Sequence, residues 1–443
     1  MKKLVFWEMN EINFDFVRYY ISRGKLKNWE KFIVAHGIYN TTSELIYENI
    51  EPWIQWPSIR TGLAYSDHGV FRLGDFGQVN IKQHWEIIER EGFSVAAISP
   101  INAVNNTSNS PFWIPDPWVD TKVSGGGFEK RISGAIKQAV NDNAKEKLSF
   151  STAFALIEAF ITRGKVSSLS VYIKGLFNAL IKRRHWSKAL ILDRLISDIF
   201  ISLWLKKQPD FSVLFLNSGA HIQHHYMFNS QAYKGQARNP EWYVKKGLDP
   251  LLDILEIYDA VLEDLLKLPN IRLMISVGMR QIPYEKNTYY WRLKNHADFL
   301  KKVGVIFKSV SPRMTRDFLI EFNSKEDALI AEKLLSNLYV ENSEIIFGEI
   351  DNRGFSIFIT LTYPNEISSS TSIMLNDAKI LNFKSEVVFV AIKNGHHDQQ
   401  GYFLDNALYP GELPENFKIQ YIFSMVMRHF NINKKNSLDS LAS

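Results

Sequence analysis

The densest group of residues able to do chemistry is the segment Asn217–His225, which carries three histidines. It directly follows Phe211–Leu216, an apolar run typical of a buried strand, so it falls where a parallel sheet presents its site. His221 and His224 are three residues apart, and one helical turn would place them on the same face. Because neutral imidazoles are common metal ligands, we predict that His221 helps to hold a metal or a phosphate, and that His224 is catalytic.

A second histidine pair, His396 and His397, follows another strand-like run at Val387–Ile392. Two strand ends that carry histidines can converge on one metal, so we predict His397 as a further metal ligand. The alternative is that several of these histidines only hydrogen-bond backbone carbonyls. The expected cofactor is one divalent ion, zinc or manganese, and a metal-free protein is the alternative.

Acidic and amide groups at the other strand ends complete the predicted site. Glu8, Asn10 and Glu11 end the first predicted strand, and the segment 49–62 places polar residues between tryptophans. We predict Glu8 or Glu51 as general base and Arg316 as an anion clamp, with a salt bridge to Asp317 as the alternative. The predicted substrate-binding residues have polar or aromatic side chains that can face such a cleft: Asn10, Glu11, Trp53, Gln55, Gln281 and Arg316.

The elements that must position these residues alternate between short apolar runs and helical patterns. This alternation predicts an α/β fold, a three-layer sandwich with a mostly parallel central sheet. We expect a helical cap and a small α+β insertion beside it. The expected segments are the core at 1–124, 208–304 and 366–431, a basic helical cap at 125–207, a ferredoxin-like insertion at 305–365 and a tail at 432–443.

The composition is that of a globular protein. Of 443 residues, 46% are hydrophobic and 22% are charged, which excludes the disordered and fibrous classes. Cysteine is absent, so disulfides, cysteine-ligated zinc and a catalytic thiol are excluded. No apolar stretch is long enough to span a bilayer. We therefore expect a cytoplasmic protein, with peripheral membrane contact as an option.

Positive charge is concentrated in one segment. Between Glu129 and Lys207 there are 15 Lys/Arg and 6 Asp/Glu, whereas the whole chain has a net charge of +5. Within it, Val171–Leu180 is amphipathic and is followed by basic residues. We expect either a solvated helical cap or a lid that meets an anionic membrane surface or substrate through 129–207. Nucleic acid is not an expected partner, because no recognised binding module accompanies the cations.

Several segments, in the same order, resemble the type I phosphodiesterase/nucleotide pyrophosphatase branch of the alkaline phosphatase superfamily. They are Leu4–Glu11, Thr61-Gly62-Leu63 with His68-Gly69, Phe112–Trp118, Asn217 to His221, and His397 to Gly401. The resemblance covers about residues 1–125 and 208–410. It implies an alkaline phosphatase-like fold and a hydrolase that uses two zinc-like ions to bind phosphate and activate a Thr or Ser nucleophile.

Some positions depart from that family pattern. Asn10 and Asn217 stand where the family has aspartates, so the resemblance implies that Asn217 binds the ion as a neutral amide beside His221 and His397. The nucleophile position falls near Pro52, and residues 276–279 lack the family's Asp and His. The resemblance therefore implies a hydrolase with a degenerate metal site, acting on a phosphorylated glycan, a nucleotide-sugar or a related anionic ester. Two alternatives stay open. One is a group-transfer enzyme of surface polysaccharide assembly on the same fold, and the other is a non-catalytic, ligand-binding pseudoenzyme.

Overall fold

The computed structural model describes residues 1–141, 149–182, 184–313, 316–340 and 344–432. Most of the predicted tail at 432–443 therefore lies outside the described residues. The helices are α1 (Phe14–Ser22), α2 (Lys27–His36), α3 (Pro52–Thr61), α4 (Tyr65–His68), α5 (His84–Arg90), α6 (Gly127–Asn141), α7 (Phe150–Arg163), α8 (Leu169–Leu180), α9 (Ser187–Lys207), α10 (Ser218–Tyr226), α11 (Pro250–Leu266), α12 (His296–Lys302), α13 (Lys325–Ser336), α14 (Phe383–Glu386) and α15 (Tyr421–His429). Short 3-10 helices cover Tyr47–Asn49, Asp75–Gln78, Val166–Ser168 and Met227–Asn229.

The strands belong to four sheets. They are β1 (Lys3–Met9), β2 (Tyr39–Thr42), β3 (Val95–Ile98), β4 (Trp113–Ile114), β5 (Phe211–Leu216), β6 (Ile271–Val277), β7 (Arg280–Leu293), β8 (Ser309–Pro312), β9 (Asp317–Glu321), β10 (Tyr339–Val340), β11 (Glu344–Ile345), β12 (Glu349–Asn352), β13 (Ser356–Thr360), β14 (Ser372–Leu375), β15 (Ala378–Asn382), β16 (Val387–Asp398), β17 (Gln400–Asp405) and β18 (Asn416–Lys418).

The largest sheet has eight strands in the order β18-β2-β17-β6-β1-β5-β3-β4. Its neighbours are parallel except at β17, which runs antiparallel to β2 and to β6. β1 lies inside the sheet, with Leu4 opposite Phe211 of β5 and Lys3 opposite Ile271 of β6. The predicted α/β class with a mostly parallel central sheet is confirmed.

Helices cover both faces of this sheet, as the alternating side chains of β1 show. Leu4 and Phe6 belong to a core that also contains residues of α3, α5 and α15. Trp7 points to the other face, where its ring lies 5.7 Å from the ring of Trp29 in α2 and 5.7 Å from that of Tyr258 in α11. Burial on both faces explains why a central parallel strand is almost continuously apolar.

Among its described residues, the segment between β4 and β5 contains the helices α6 to α9. Most of α9 is buried, and its Asp193 accepts hydrogen bonds from the backbone N–H of Ser218 at 2.9 Å and from the hydroxyl of Tyr258 at 2.7 Å. These bonds attach α9 to the start of α10 and to α11. Among the described residues, no helix combines the length and the apolar character needed to cross a bilayer.

The chain divides into two compact units. The first comprises residues 1–234, 241–283 and those from 395 onward, and the second comprises 235–240 and 284–394. The second unit contains the sheets β11-β10-β14-β15 and β12-β13-β9-β8. It is wider than the predicted insertion at 305–365, because Trp291, Phe299 and Phe383 pack into the same core as β9 and α13.

Candidate metal centre

Three side chains of ligand type meet beyond the end of β1 in the first unit. Glu11 follows β1, His224 lies in α10 after β5, and His397 is near the end of β16. Glu11 Oε2 is 2.9 Å from His224 Nε2 and 3.2 Å from His397 Nε2, and the two Nε2 atoms are 3.3 Å apart. Within the described part of the chain, this is the one group of three or more His, Asp or Glu close enough to share an ion.

The backbone of Glu11 is held in an unusual conformation. Its φ of 60° lies in the left-handed region, which costs energy for a residue with a side chain. Its carbonyl accepts a hydrogen bond from Gln223 Nε2 at 2.7 Å and another from the backbone N–H of Gln281 at 3.2 Å. The Gln281 side-chain amide also donates to Glu11 Oε2 and, at 3.0 Å, to the carbonyl of Ala220. These bonds keep the carboxylate turned toward the two imidazoles.

Asn10 connects Glu11 to Asn217. Its Nδ2 donates to Glu11 Oε1 at 3.0 Å and to Asn217 Oδ1 at 2.8 Å, and its Oδ1 accepts from Trp56 Nε1 at 3.0 Å. The Asn10 amide group thus joins the Glu11 carboxylate to the Asn217 amide oxygen. Because amide oxygens carry no net charge and Asn10 Oδ1 is already engaged, this pair of asparagines is a poor place for a second divalent ion.

His397 lies between two carboxylates. Its Nε2 faces Glu11, and its Nδ1 is 3.4 Å from Glu51 Oε2. Burial acts to lower the pKa of His397, but Glu11 and Glu51 outweigh it and raise that pKa to about 10. Burial acts to raise the pKa of Glu11, but the rings of His397 and His224 outweigh it and hold that pKa below its usual range. Without a metal, the centre therefore contains an imidazolium and a carboxylate.

The donor set fits zinc. Two imidazole nitrogens and one carboxylate oxygen form the three-ligand pattern of catalytic zinc sites, in which a fourth position stays open. A tetrahedral zinc with bonds of about 2.0–2.1 Å would place its ligand atoms about 3.3–3.4 Å apart. The observed separations of 2.9, 3.2 and 3.3 Å are close to that spacing. Glu51 on Nδ1 of His397 matches the outer carboxylate that commonly orients a metal-bound imidazole.

Glu8, a predicted general base, is not part of this centre. Its carboxylate is fully buried and forms a two-point ion pair with Arg60 of α3, in which Arg60 Nε donates to Oε1 at 2.8 Å and Nη2 donates to Oε2. Both oxygens are therefore engaged by a guanidinium away from solvent. This placement makes Glu8 a structural residue.

The centre uses His224 where the sequence analysis predicted His221. His221 is exposed on α10, and its ring makes an edge-to-face contact with His225 at 4.9 Å between centroids. His224 is partly buried and faces Glu11. Glu11, predicted to bind substrate, is thus a candidate metal ligand, and Asn217 reaches the centre only through Asn10.

The other predicted residues lie outside the group of three ligands. Gln55 is buried in α3, where its Nε2 donates to the carbonyl of Asn49 at 2.7 Å. Trp53 is partly buried in the first turn of the same helix. Arg316 belongs to the second unit, where its guanidinium lies 3.9 Å above the ring centroid of Tyr290.

Two supporting residues were missed by the sequence analysis. Gln223 holds the Glu11 carbonyl from a position between two histidines, and no sequence pattern marks it. Gly395 leaves room for Gln281, because a Cβ at this position would lie 2.2 Å from Gln281 Oε1. The glycine directly before His396 and His397 was the one available signal.

No protein-family model and no curated protein matches this chain. Several solved structures do match it, at low sequence identity. Phosphonoacetate hydrolase from Sinorhizobium meliloti 1021, in complex with phosphonoacetate, is 10% identical over 96% of both chains, with a TM-score of 0.47. Human ectonucleotide pyrophosphatase/phosphodiesterase 5 is 12% identical over 100% of both chains, with a TM-score of 0.43. The murine protein is 12% identical over 98% of this chain and 96% of its own, with a TM-score of 0.42. At such low identity, the activity of this chain has to be inferred from its own residues.

Proposed function

We propose that this protein is a hydrolase of a phosphate ester or a related anionic ester, with a single divalent ion bound by Glu11, His224 and His397. The observation that carries the proposal is the meeting of these three ligand atoms, from three distant segments, with no two more than 3.3 Å apart. Two imidazoles and one carboxylate favour zinc over manganese, which prefers oxygen ligands. The phosphate ester is suggested by the sequence resemblance.

The residues around the ligands prepare the centre for an ion. Asn10 and Gln281 each donate to one oxygen of Glu11 and fix the plane of its carboxylate. Glu51 favours a proton on Nδ1 of His397, which leaves Nε2 as the nitrogen available to a metal. We therefore assign Glu51 to the orientation of His397, in place of the predicted general base. The ion, when bound, would polarise an ester oxygen and lower the pKa of a coordinated water.

The proposed enzyme binds one divalent ion, whereas the family resemblance implies two. Asn10 donates a hydrogen bond to Asn217, where the family has two metal-binding aspartates. Pro52 is the first residue of α3, and it has no hydroxyl group that could act as the nucleophile. Water is accordingly the proposed nucleophile, and no covalent enzyme intermediate is expected.

Hydrolysis of bis-p-nitrophenyl phosphate and p-nitrophenyl phosphate tests this function. The full chain is stripped with a chelator, reloaded with zinc or manganese and assayed beside His224→Ala and the matched variant His221→Ala on the same helix. We expect zinc to restore turnover, His224→Ala to reduce it at least 100-fold, and His221→Ala to leave it within twofold. Full activity in the stripped protein, or no turnover by the zinc-loaded protein, would overturn the proposal.

A further inference from the structure

Helix α7 exposes most of its large apolar side chains, and its fully buried positions carry small ones. Its buried positions are Thr152, Ala155 and Ala159. Its exposed side chains include four large apolar ones at helical spacing, with the exposed fraction of each in parentheses: Phe150 (93%), Phe154 (59%), Ile157 (56%) and Ile161 (78%). An ordinary surface helix turns its apolar stripe toward the core, so the orientation of α7 is reversed.

Helix α8 repeats this reversal. It buries Tyr172, Gly175 and Asn178 against the protein. The Tyr172 hydroxyl donates to Asp198 of α9, and Gly175 permits close approach, since a Cβ there would lie 2.6 Å from Ile191 Cγ1. The exposed apolar side chains on and just after α8 are Leu169, Ile173, Leu176, Phe177, Leu180 and Ile181. The face of α8 that carries these buried residues therefore packs against α9, and the opposite, apolar face is exposed to solvent.

The exposed apolar residues of α7 and α8 together form what we call the outer apolar surface. The two helices are neighbours, because the rings of Phe160 and Tyr172 lie 4.7 Å apart. Val166, in the short connection between them, is 90% exposed. Monomeric soluble proteins rarely expose large apolar side chains in such a concentration, and where they do the side chains commonly mark an interaction site.

Positive charge accompanies this surface. From residue 159 to residue 188 the sequence contains seven Lys or Arg and no Asp or Glu. Lys174 and Lys182 are exposed on and just after α8, and Lys182 Nζ lies 5.4 Å above the ring centroid of Phe177. Glu158, the one acid of α7, is paired with Arg131. A partner of this face must therefore be both apolar and anionic.

We propose that α7 and α8 dock the protein on a lipid bilayer that contains anionic headgroups. The outer apolar surface would lie at the boundary between headgroups and acyl chains, with Lys174 and Lys182 among the lipid phosphates. A bilayer meets both requirements at once, since apolar side chains enter the acyl region while cations stay at the headgroups. This inference does not depend on the proposed function.

Vesicle flotation of the full chain tests the proposal. The vesicles contain phosphatidylcholine alone or phosphatidylcholine with phosphatidylglycerol. The apolar variant is Ile157→Gln/Ile161→Gln/Ile173→Gln and the charge variant is Lys174→Glu/Lys182→Glu. The matched control, Leu329→Gln/Ile330→Gln, changes exposed side chains on α13 in the other unit.

We expect the wild-type protein to float with the anionic vesicles, and less so as salt is raised. Both variants should bind at least tenfold more weakly, and the control should stay within twofold of wild type. Equal, negligible binding of the wild type to both vesicles would overturn the proposal, as would an apolar variant that binds like wild type. If sedimentation showed a wild-type dimer that the apolar variant loses, without vesicle binding by either, the surface would join two copies and the membrane proposal would fail.

Discussion

Replacing Glu8 by Gln tests whether the acid near the end of β1 is structural. Glu8 and Arg60 are both 0% exposed, and the Arg60 guanidinium lies 5.7 Å and 5.4 Å from the ring centroids of Trp56 and Trp85. Burial raises the pKa of Glu8, and the guanidinium of Arg60 opposes that rise. Glu8→Gln would leave a buried cation among aromatic rings with a neutral amide in place of its partner.

The expected cost follows from that geometry. Removing one partner of a buried ion pair costs about 3–5 kcal/mol. The amide oxygen of Gln can still accept one hydrogen bond, which restores about 1 kcal/mol. We therefore expect the free energy of unfolding to fall by about 2–4 kcal/mol. The double variant Glu8→Gln/Arg60→Met removes both charges, and it should recover most of this loss.

Urea unfolding of the metal-free protein, followed by tryptophan fluorescence at neutral pH, measures the effect. Zinc affinity and turnover of the folded Glu8→Gln protein should match wild type. A loss of stability below about 1 kcal/mol would refute a buried, ionised pair. If Glu8→Gln lost turnover but kept its stability, Glu8 would be the general base that was predicted from the sequence.

Three further predictions concern two residues that position the metal ligands, Glu51 and Gly395, and the buried histidine His68. Glu51→Gln removes the carboxylate beside His397, so zinc affinity should fall about 10–100-fold in a competition titration with a chromophoric chelator. Gly395→Ala displaces the Gln281 amide that holds the ligand carboxylate, so the same titration should show zinc affinity lowered about tenfold. Burial lowers the pKa of His68 from 6.5 to about 4, so the unfolded chain takes up the proton first. Wild-type stability should therefore fall by up to about 3 kcal/mol as pH drops from 6.5 to 4, and His68→Asn should lose that part of the pH dependence in urea melts.

A second glycine, which lies on the surface, provides the control for Gly395→Ala. Gly134→Ala adds a methyl group in open space, so it should leave zinc affinity unchanged. Unaltered zinc affinity in Gly395→Ala would remove the supporting role given to Gln281. If His68→Asn kept the full loss of stability between pH 6.5 and 4, another group would be responsible for it.

The central sheet could be predicted because its inner strands are buried on both faces and are therefore apolar along their length. The predicted run Phe211–Leu216 coincides with β5. The extent of the second unit could not be predicted in this way. Trp291 and Phe383 join its core through packing between segments far apart in the chain, which local patterns do not record.

The site was predictable in part. The histidines that follow the buried strand β5 indicated where it lies. His397, predicted to follow a strand, lies instead within β16 and reaches the centre from there. The choice between His221 and His224 depends on how α10 is rotated, and spacing alone leaves both on one face. Glu11, and not Glu8, belongs to the centre because the left-handed backbone conformation at Glu11 redirects the chain after β1.

Zinc content measures the central claim most directly. The full chain is stripped of metal, incubated with zinc, passed through a desalting column and analysed by mass spectrometry of the elements. We predict one zinc per chain in wild type and in His221→Ala, and none retained in Glu11→Gln, His224→Ala or His397→Ala. Wild-type protein that leaves the column without zinc, or His224→Ala that retains as much as wild type, would contradict the account.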